Sequence, residues 1–241
     1  DRNVFSQSDH EEILKRFNEK ERKKLFILKP LYQRSLIVAA GPIANFILAI
    51  LIFLMIYMFV GKDFTPAVID EVQKESPAQV SGFMKNDIIL EIDGNKIESI
   101  FDVSKLITMS TSKTIDFKVL RYDEEVLLKV KPKIIEGEDN LGNKINRRII
   151  GIKLSPYNNE VNHVKLGPAK ALYHSLKEVF FVTTSSLKYL GSIIGGSGDS
   201  SQLGGPIRIA KITGQVAEFG FIPFISIMAY ISISLGLINL F

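Results

Sequence analysis

The chain has no cysteine and only three histidines in 241 residues. The first absence excludes disulfides, cysteine-ligated zinc and thiol nucleophiles, and leaves the redox compartment open. The second leaves no Ser-His-Asp set that the sequence can single out. His10-Glu11 begins like an HExxH zinc helix, but Leu14 stands where the second histidine belongs. His163 and His174 have no cysteine partner, and read as surface or interfacial residues. The glycines between positions 191 and 205 are not followed by Lys-Ser/Thr, which argues against a phosphate loop. No basic stripe is interleaved with aromatics, so nucleic acid is a poor partner. There are no internal repeats and no low-complexity tracts.

What the sequence does have is two long stretches without charge. About 27 residues, 35–61, pass without a charged side chain, and roughly 20 suffice to cross a bilayer core as a helix. Residues 219–241 form a second such run, about 23 residues long. Yet the mean hydropathy is only +0.17 and 23% of residues are charged. Part of the chain is therefore membrane and part is not. The fold class expected is an α-helical membrane protein with an inserted α/β soluble domain. The net charge of +4 suits topology signals and contact with anionic lipid headgroups. The chain begins at Asp1 and stops inside an apolar run, and is read as an internal piece of a longer protein.

Taken in order, residues 1–34 are a basic, membrane-associated segment. Residues 11–24 can form a surface helix with Ile13, Leu14 and Phe17 on one face. Lys20, Arg22, Lys23, Lys24, Lys29 and Arg34 precede the first apolar run, which puts that flank in the cytoplasm. Within the run, Pro42 removes a backbone donor, so the helix is expected to kink there or be met by another segment. Gly41 and Asn45 share a face, where a small residue allows close approach and an amide can bond across helices. Residues 62–155 read as the α/β domain. Alternating strands are expected at 66–72, 88–92, 115–119 and 126–130, with helices starting at Ser76-Pro77 and Ser99. Residues 133–147 read as a charged excursion, and 148–154 as a closing strand. Residues 166–194 read as a membrane helix, weak on hydropathy and interrupted by Lys188. The segment 195–218 is then a cytoplasmic loop, leading to the last span at 219–241.

The stretch SPAQVSGFMKNDIILEIDGNKI, residues 76–97, resembles PDZ domains of the bacterial protease type, with Ser81, Phe83 and Asn86 where Ala, Leu and Gly are usual. Asn tolerates the left-handed backbone that the glycine would supply. The resemblance implies a groove that takes an extended peptide as an added strand, between Ala67, Val68 and Ile69 on one side and Val103, Leu106 and Ile107 on the other. The same six residues could equally serve to fill the small core.

AGPIANFILA (residues 40–49), QLGGPIRIAKITGQ (202–215) and SISLGLINLF (232–241) together resemble the bacterial branch of the site-2 protease family of intramembrane zinc metalloproteases. The resemblance implies regulated intramembrane proteolysis of transmembrane protein substrates in the bacterial inner membrane, with a periplasmic PDZ domain screening them. Zinc is the implied cofactor. The family's HExxH helix and LDG aspartate hold it, and neither motif matches a position in this chain. Asn239 matches the asparagine of the family's NxxPxP motif, which implies positioning of the substrate strand or a developing oxyanion; helix packing is the alternative. Asn45 is carried over as a second substrate-positioning residue on the same terms. Ser234 stands where many relatives have another asparagine. A noncatalytic, membrane-tethered PDZ scaffold would account for the same spans and domain.

Overall fold

The computed structural model describes residues 18, 21, 24–138, 144–157, 160–196 and 205–240. The surface helix expected at 11–24, and His10, fall almost entirely or entirely outside them. The first long helix, α1, is Leu31–Met55 and runs on as a π-helical turn, Ile56–Val60. It begins four residues before the expected span, directly after Pro30. Gly61 ends it at φ +111°, a backbone conformation that side chains disfavour. Pro42 does not interrupt the helix. Its ring is buried, beside the far end of the last helix, so the second of the two expected outcomes holds.

The α/β domain follows. Its elements are β1 (Lys62–Asp63), β2 (Ala67–Val72), α2 (Pro77–Val80), β3 (Ile88–Ile92), β4 (Asn95–Lys96), α3 (Ile100–Met109), β5 (Ile115–Arg121), β6 (Glu124–Val130), β7 (Lys133–Glu138), β8 (Lys144–Ile149), β9 (Ile152–Pro156) and β10 (His163–Val164). The main sheet runs β6-β5-β3-β2-β9, with β4 beside β3. Its core is the apolar side of the alternating strands: Ile69, Ile89, Ile92, Ile115, Phe117 and Val119, closed by Val103 and Ile107 of α3. Ser76 caps α2 by accepting from the Gln79 amide, and Ser99 with Asp102 forms a capping box on α3. Asn86 adopts φ +71°, the conformation its substitution for glycine requires. Pairing of β1 with β10 sets the domain's entry and exit side by side.

Two expectations for this domain are corrected. The excursion at 133–147 is largely the antiparallel hairpin β7–β8; its charged sequence hides a ladder whose outer faces are solvated. Residues 148–154 are not one strand. Gly151 at φ +81° separates β8 from β9, and a Cβ there would lie 2.3 Å from the Ser76 Cβ.

Three helices complete the described chain: α4 (Pro168–Ile194), α5 (Pro206–Glu218) and α6 (Phe221–Ile238). Among the described residues, only 31–60 and 221–238 form helices long and apolar enough to cross a membrane. The helix at 166–194 is present, but it is amphipathic, burying Ala171, Ser175, Val179 and Val182 along one stripe. The segment 195–218 was expected to be a loop, and α5 occupies most of its described part.

Helices α1 and α6 pack antiparallel. Phe221, Ile222 and Ile225 share a groove with residues of 51–60. The Phe53 and Tyr230 rings meet edge-on at 5.2 Å. Ser232 Oγ donates to the Asn45 carbonyl at 2.8 Å, and Asn239 reaches the Pro42 turn. Ala49, Ala229, Ile233 and Leu237 are buried between the helices, with Val179 and Val182 of α4. Gly236, not Gly41, permits the close approach. A Cβ on Gly236 would sit 3.2–3.3 Å from Phe46 and Asn45, whereas Gly41 faces open space.

The domain stands on the helices through Glu98, in the link between β4 and α3. Its carboxylate accepts from Lys62 at 2.5 Å and from Lys177 at 2.6 Å, and His174 Nδ1 lies 3.4 Å away. Burial pushes the Glu98 pKa up, but the hydrogen bonds and charges of Lys177 and Lys62 outweigh it and hold the group down to about 2.

Two outcomes follow from these contacts. Gly236→Val should force α1 and α6 apart and destabilise the protein by about 1–3 kcal/mol, the usual cost of overpacking, read as a lower unfolding midpoint in detergent. Because the folded-state pKa of Glu98 lies below the ordinary carboxylate value of 4.5, its contribution is complete above that value and is lost as pH falls toward 2. The difference in thermal midpoint between the wild type and Glu98→Gln should therefore shrink over that window and stay constant from pH 6 to 8.

Candidate functional site

A peptide adds to a sheet only where a strand leaves one row of backbone N–H and C=O groups unpaired. Strand β2 is flanked on both edges. Val68 is opposite Ile88 of β3 on one edge, and Ala67, Val68 and Ile69 face Pro156, Ser155 and Leu154 of β9 on the other. Ala67 and Ile69 are fully buried. The strand expected to form the groove wall is an interior strand, and Ala67, Val68 and Ile69 are core residues. Val103 and Ile107 are core as well. Leu106 is half-buried and opens into the space between α3 and α4.

The strand at the end of the sheet on the α3 side is β9. Helix α3 packs across β2, β3, β8 and β9, so the sheet edge on its side that can take an added strand is the outer edge of β9. One end of it is fixed. Arg148, at the end of β8, donates to the carbonyls of Ser110 and Ser112 just past α3. Burial lowers the Arg148 pKa from the ordinary arginine value, with the Asp93 carboxylate opposing. The turn between β8 and β9 is held from the other side. The Ala78 amide donates to the Ile150 carbonyl at 2.8 Å, and the Gln73 amide to the Gly151 carbonyl at 2.9 Å. The sequence contained one cue to β9, the glycine that splits 148–154. Its place at the sheet edge is a long-range pairing that no local pattern encodes.

The second feature lies where the ends of α6 and α1 meet. Asn239 caps α6 and its amide donates to the Leu235 carbonyl at 3.0 Å. With Pro42, Arg34, Ser35 and Val38 it lines a cleft of about 400 Å³. Arg34 Nε is buried there with no hydrogen-bond partner among the described residues. Asn45 lies about one turn from Pro42, and its carbonyl takes the Ser232 hydroxyl. The two asparagines thus belong to one helix pair, with Asn239 exposed at the cleft and Asn45 half-buried at the contact. Ser234 turns back to donate to its own helix, at the Tyr230 carbonyl. Ser232 and Gly236, which set the contact, have no marking in the sequence beyond small size at four-residue spacing.

The described residues contain no group of three His, Cys, Asp or Glu side chains able to hold a metal ion. His163 sits in β10 opposite Asp63. His174 is enclosed by Glu98 and the rings of Phe64 and Tyr173. These donors do not fit a zinc site.

The profile described as peptidase family M50 matches residues 7–241. A protein of Agrobacterium fabrum, provisionally named a zinc metalloprotease, is 36% identical over 210 residues, covering 87% of this chain and 56% of that protein. A similarly named protein of Mesorhizobium japonicum is 30% identical over 240 residues, covering all of this chain and 65% of that protein. The metalloprotease MmpA of Caulobacter vibrioides is 30% identical over 207 residues, covering 86% and 51%. The crystal structure of the PDZ domain of an SdrC-like protein from Listeria monocytogenes covers 38% of this chain and 88% of its own, at 24% identity and a TM-score of 0.31. The chain spans between half and two thirds of the length of these curated relatives. It belongs to peptidase family M50, the site-2 protease family of metallopeptidases.

Proposed function

We propose that this chain is the substrate-handling part of an intramembrane zinc metalloprotease that cuts membrane-anchored proteins. The observation that carries the reading is the cleft at the end of α6. There the motif asparagine, Asn239, opens beside Pro42 and the unpartnered Arg34 Nε. An amide and a guanidinium at the end of a paired apolar helix are the groups that can hold the carbonyls of an extended substrate strand inside a bilayer. Zinc, held in the full-length protein by residues other than those described, would activate the attacking water.

The antiparallel packing of α1 and α6 changes the expected sidedness. If both helices cross, Val60 and Phe221 end on the same face of the membrane. Residues 62–220 then all lie on one side, including α4 and α5. In this account 166–194 is a surface helix rather than a span, and 195–218 is not cytoplasmic. The basic residues Lys24, Lys29 and Arg34 before α1 assign the opposite side to the cytoplasm, which puts the α/β domain in the periplasm of a bacterial inner membrane. There its groove, along β9 and α3, screens substrates by taking an extended segment as an added strand.

Two measurements test this reading. In the full-length protein, Asn239→Ala should lower the rate of cleavage of a membrane-anchored model substrate about 10²-fold, the usual effect of losing one positioned polar donor, and chelation should abolish it. Cleavage that survives complete metal removal contradicts the zinc mechanism and favours the noncatalytic scaffold. An extended peptide with an apolar C-terminus should slow amide exchange in 152–156 and leave 67–72 unchanged. Protection confined to 67–72 would return the groove to β2.

A further inference from the structure

Two neighbouring residues of α4 carry opposite charges, Lys177 and Glu178. Each meets its opposite on the α/β domain. Lys177 donates to Glu98 at 2.6 Å, and Glu178 accepts from Lys105 of α3 at 2.5 Å. Three of these side chains are mostly shielded. Glu98 and Lys105 are each 24% exposed and Glu178 is 16% exposed, while Lys177 is 46% exposed. Aromatic faces add to the shielding from both sides, with Lys105 Nζ over the Phe181 ring of α4 and Lys62 Nζ over the Phe64 ring of the domain, each at 4.3 Å. Glu178 also accepts from the Tyr230 hydroxyl at 2.9 Å, which brings α6 into the same cluster.

The order of the charges matters more than their number. Turning the domain around on the helices would set Lys177 against Lys105 and Glu178 against Glu98. Like charges at these separations and this degree of burial are strongly unfavourable. Apolar contact at the same junction would be indifferent to such a rotation, because it has no direction.

We propose that Glu98, Lys105, Lys177 and Glu178 form a charge-ordered dock that admits one orientation of the peptide-binding domain on α4 and α6. Lys62 supports Glu98, and Tyr230 extends the dock to α6. The dock holds α3, the helix flanking the β9 groove, in fixed relation to the helix that ends at Asn239. Its logic is independent of the chemistry assigned to the cleft, so it stands or falls by geometry and not by proteolysis.

The test keeps composition and net charge constant. Nitroxide labels are placed in the full-length protein in nanodiscs at Tyr122→Cys, on the exposed β5–β6 turn, and at Phe219→Cys, exposed just before α6. The wild type should give one narrow distance distribution. The order-reversing pair Lys177→Glu with Glu178→Lys should broaden or shift it. If the reversed variant fails to fold, Lys177→Gln with Glu178→Gln gives the same reading, with broadening supporting the dock. An unchanged distribution in either α4 variant overturns the proposal.

Discussion

The close contact between α1 and α6 is the constraint on which the rest depends. It is made by small groups. A Cβ on Gly236 would press on Phe46 and Asn45 at 3.2–3.3 Å, Ala49 and Ala229 are fully buried, and the Ser232 hydroxyl reaches a helix carbonyl across the gap. Lipid tails are as apolar as leucine, so hydrophobicity alone gives two such helices little reason to pair. Close packing and one hydrogen bond across the contact supply that reason. Once they pair antiparallel, Pro42 faces Asn239, and the cleft exists without any further device.

Everything between the two helices is then an insertion that leaves and returns at one place. The two-residue pairing of β1 with β10 closes that insertion. The α/β domain folds on its own core of alternating strands, and its contacts with the helices are largely ionic. That division suits a domain that must keep its groove open while being held at a set angle. Glu98 illustrates the economy of the arrangement, since one carboxylate serves Lys62 of the domain's first strand and Lys177 of α4.

Much of this was legible in the sequence, for physical reasons that also mark where legibility stops. Strands β2, β3, β5 and β6 announce themselves by alternation, and α2 and α3 by Ser76-Pro77 and by Ser99 with Asp102, because those signals are local. The family resemblance singled out Asn239, which lines the cleft at the end of α6. The surroundings of β2 were not legible because sheet order is nonlocal; nothing in Ala67-Val68-Ile69 tells that β3 and β9 flank the strand. The hairpin β7–β8 was missed because its solvated, charged strands lack an apolar side. The path of α4 is not fixed by hydropathy, which reports length and polarity, not direction. Whether a half-apolar helix crosses or lies flat is decided by what it packs against, here Phe53 and Ala49 of α1 along one stripe and the charged face of the domain along the other.

The most direct measurement is the sidedness of α4's far end. A single cysteine at Ile194, which is exposed, can be challenged in intact spheroplasts with a membrane-impermeant maleimide, beside reference cysteines at Tyr122 and Lys29. This account predicts that position 194 reacts from outside together with position 122, while position 29 reacts only after the membrane is broken. Reaction of position 194 only in broken membranes, together with position 29, would mean that α4 crosses the bilayer, and the antiparallel pairing of α1 and α6 across it could not stand.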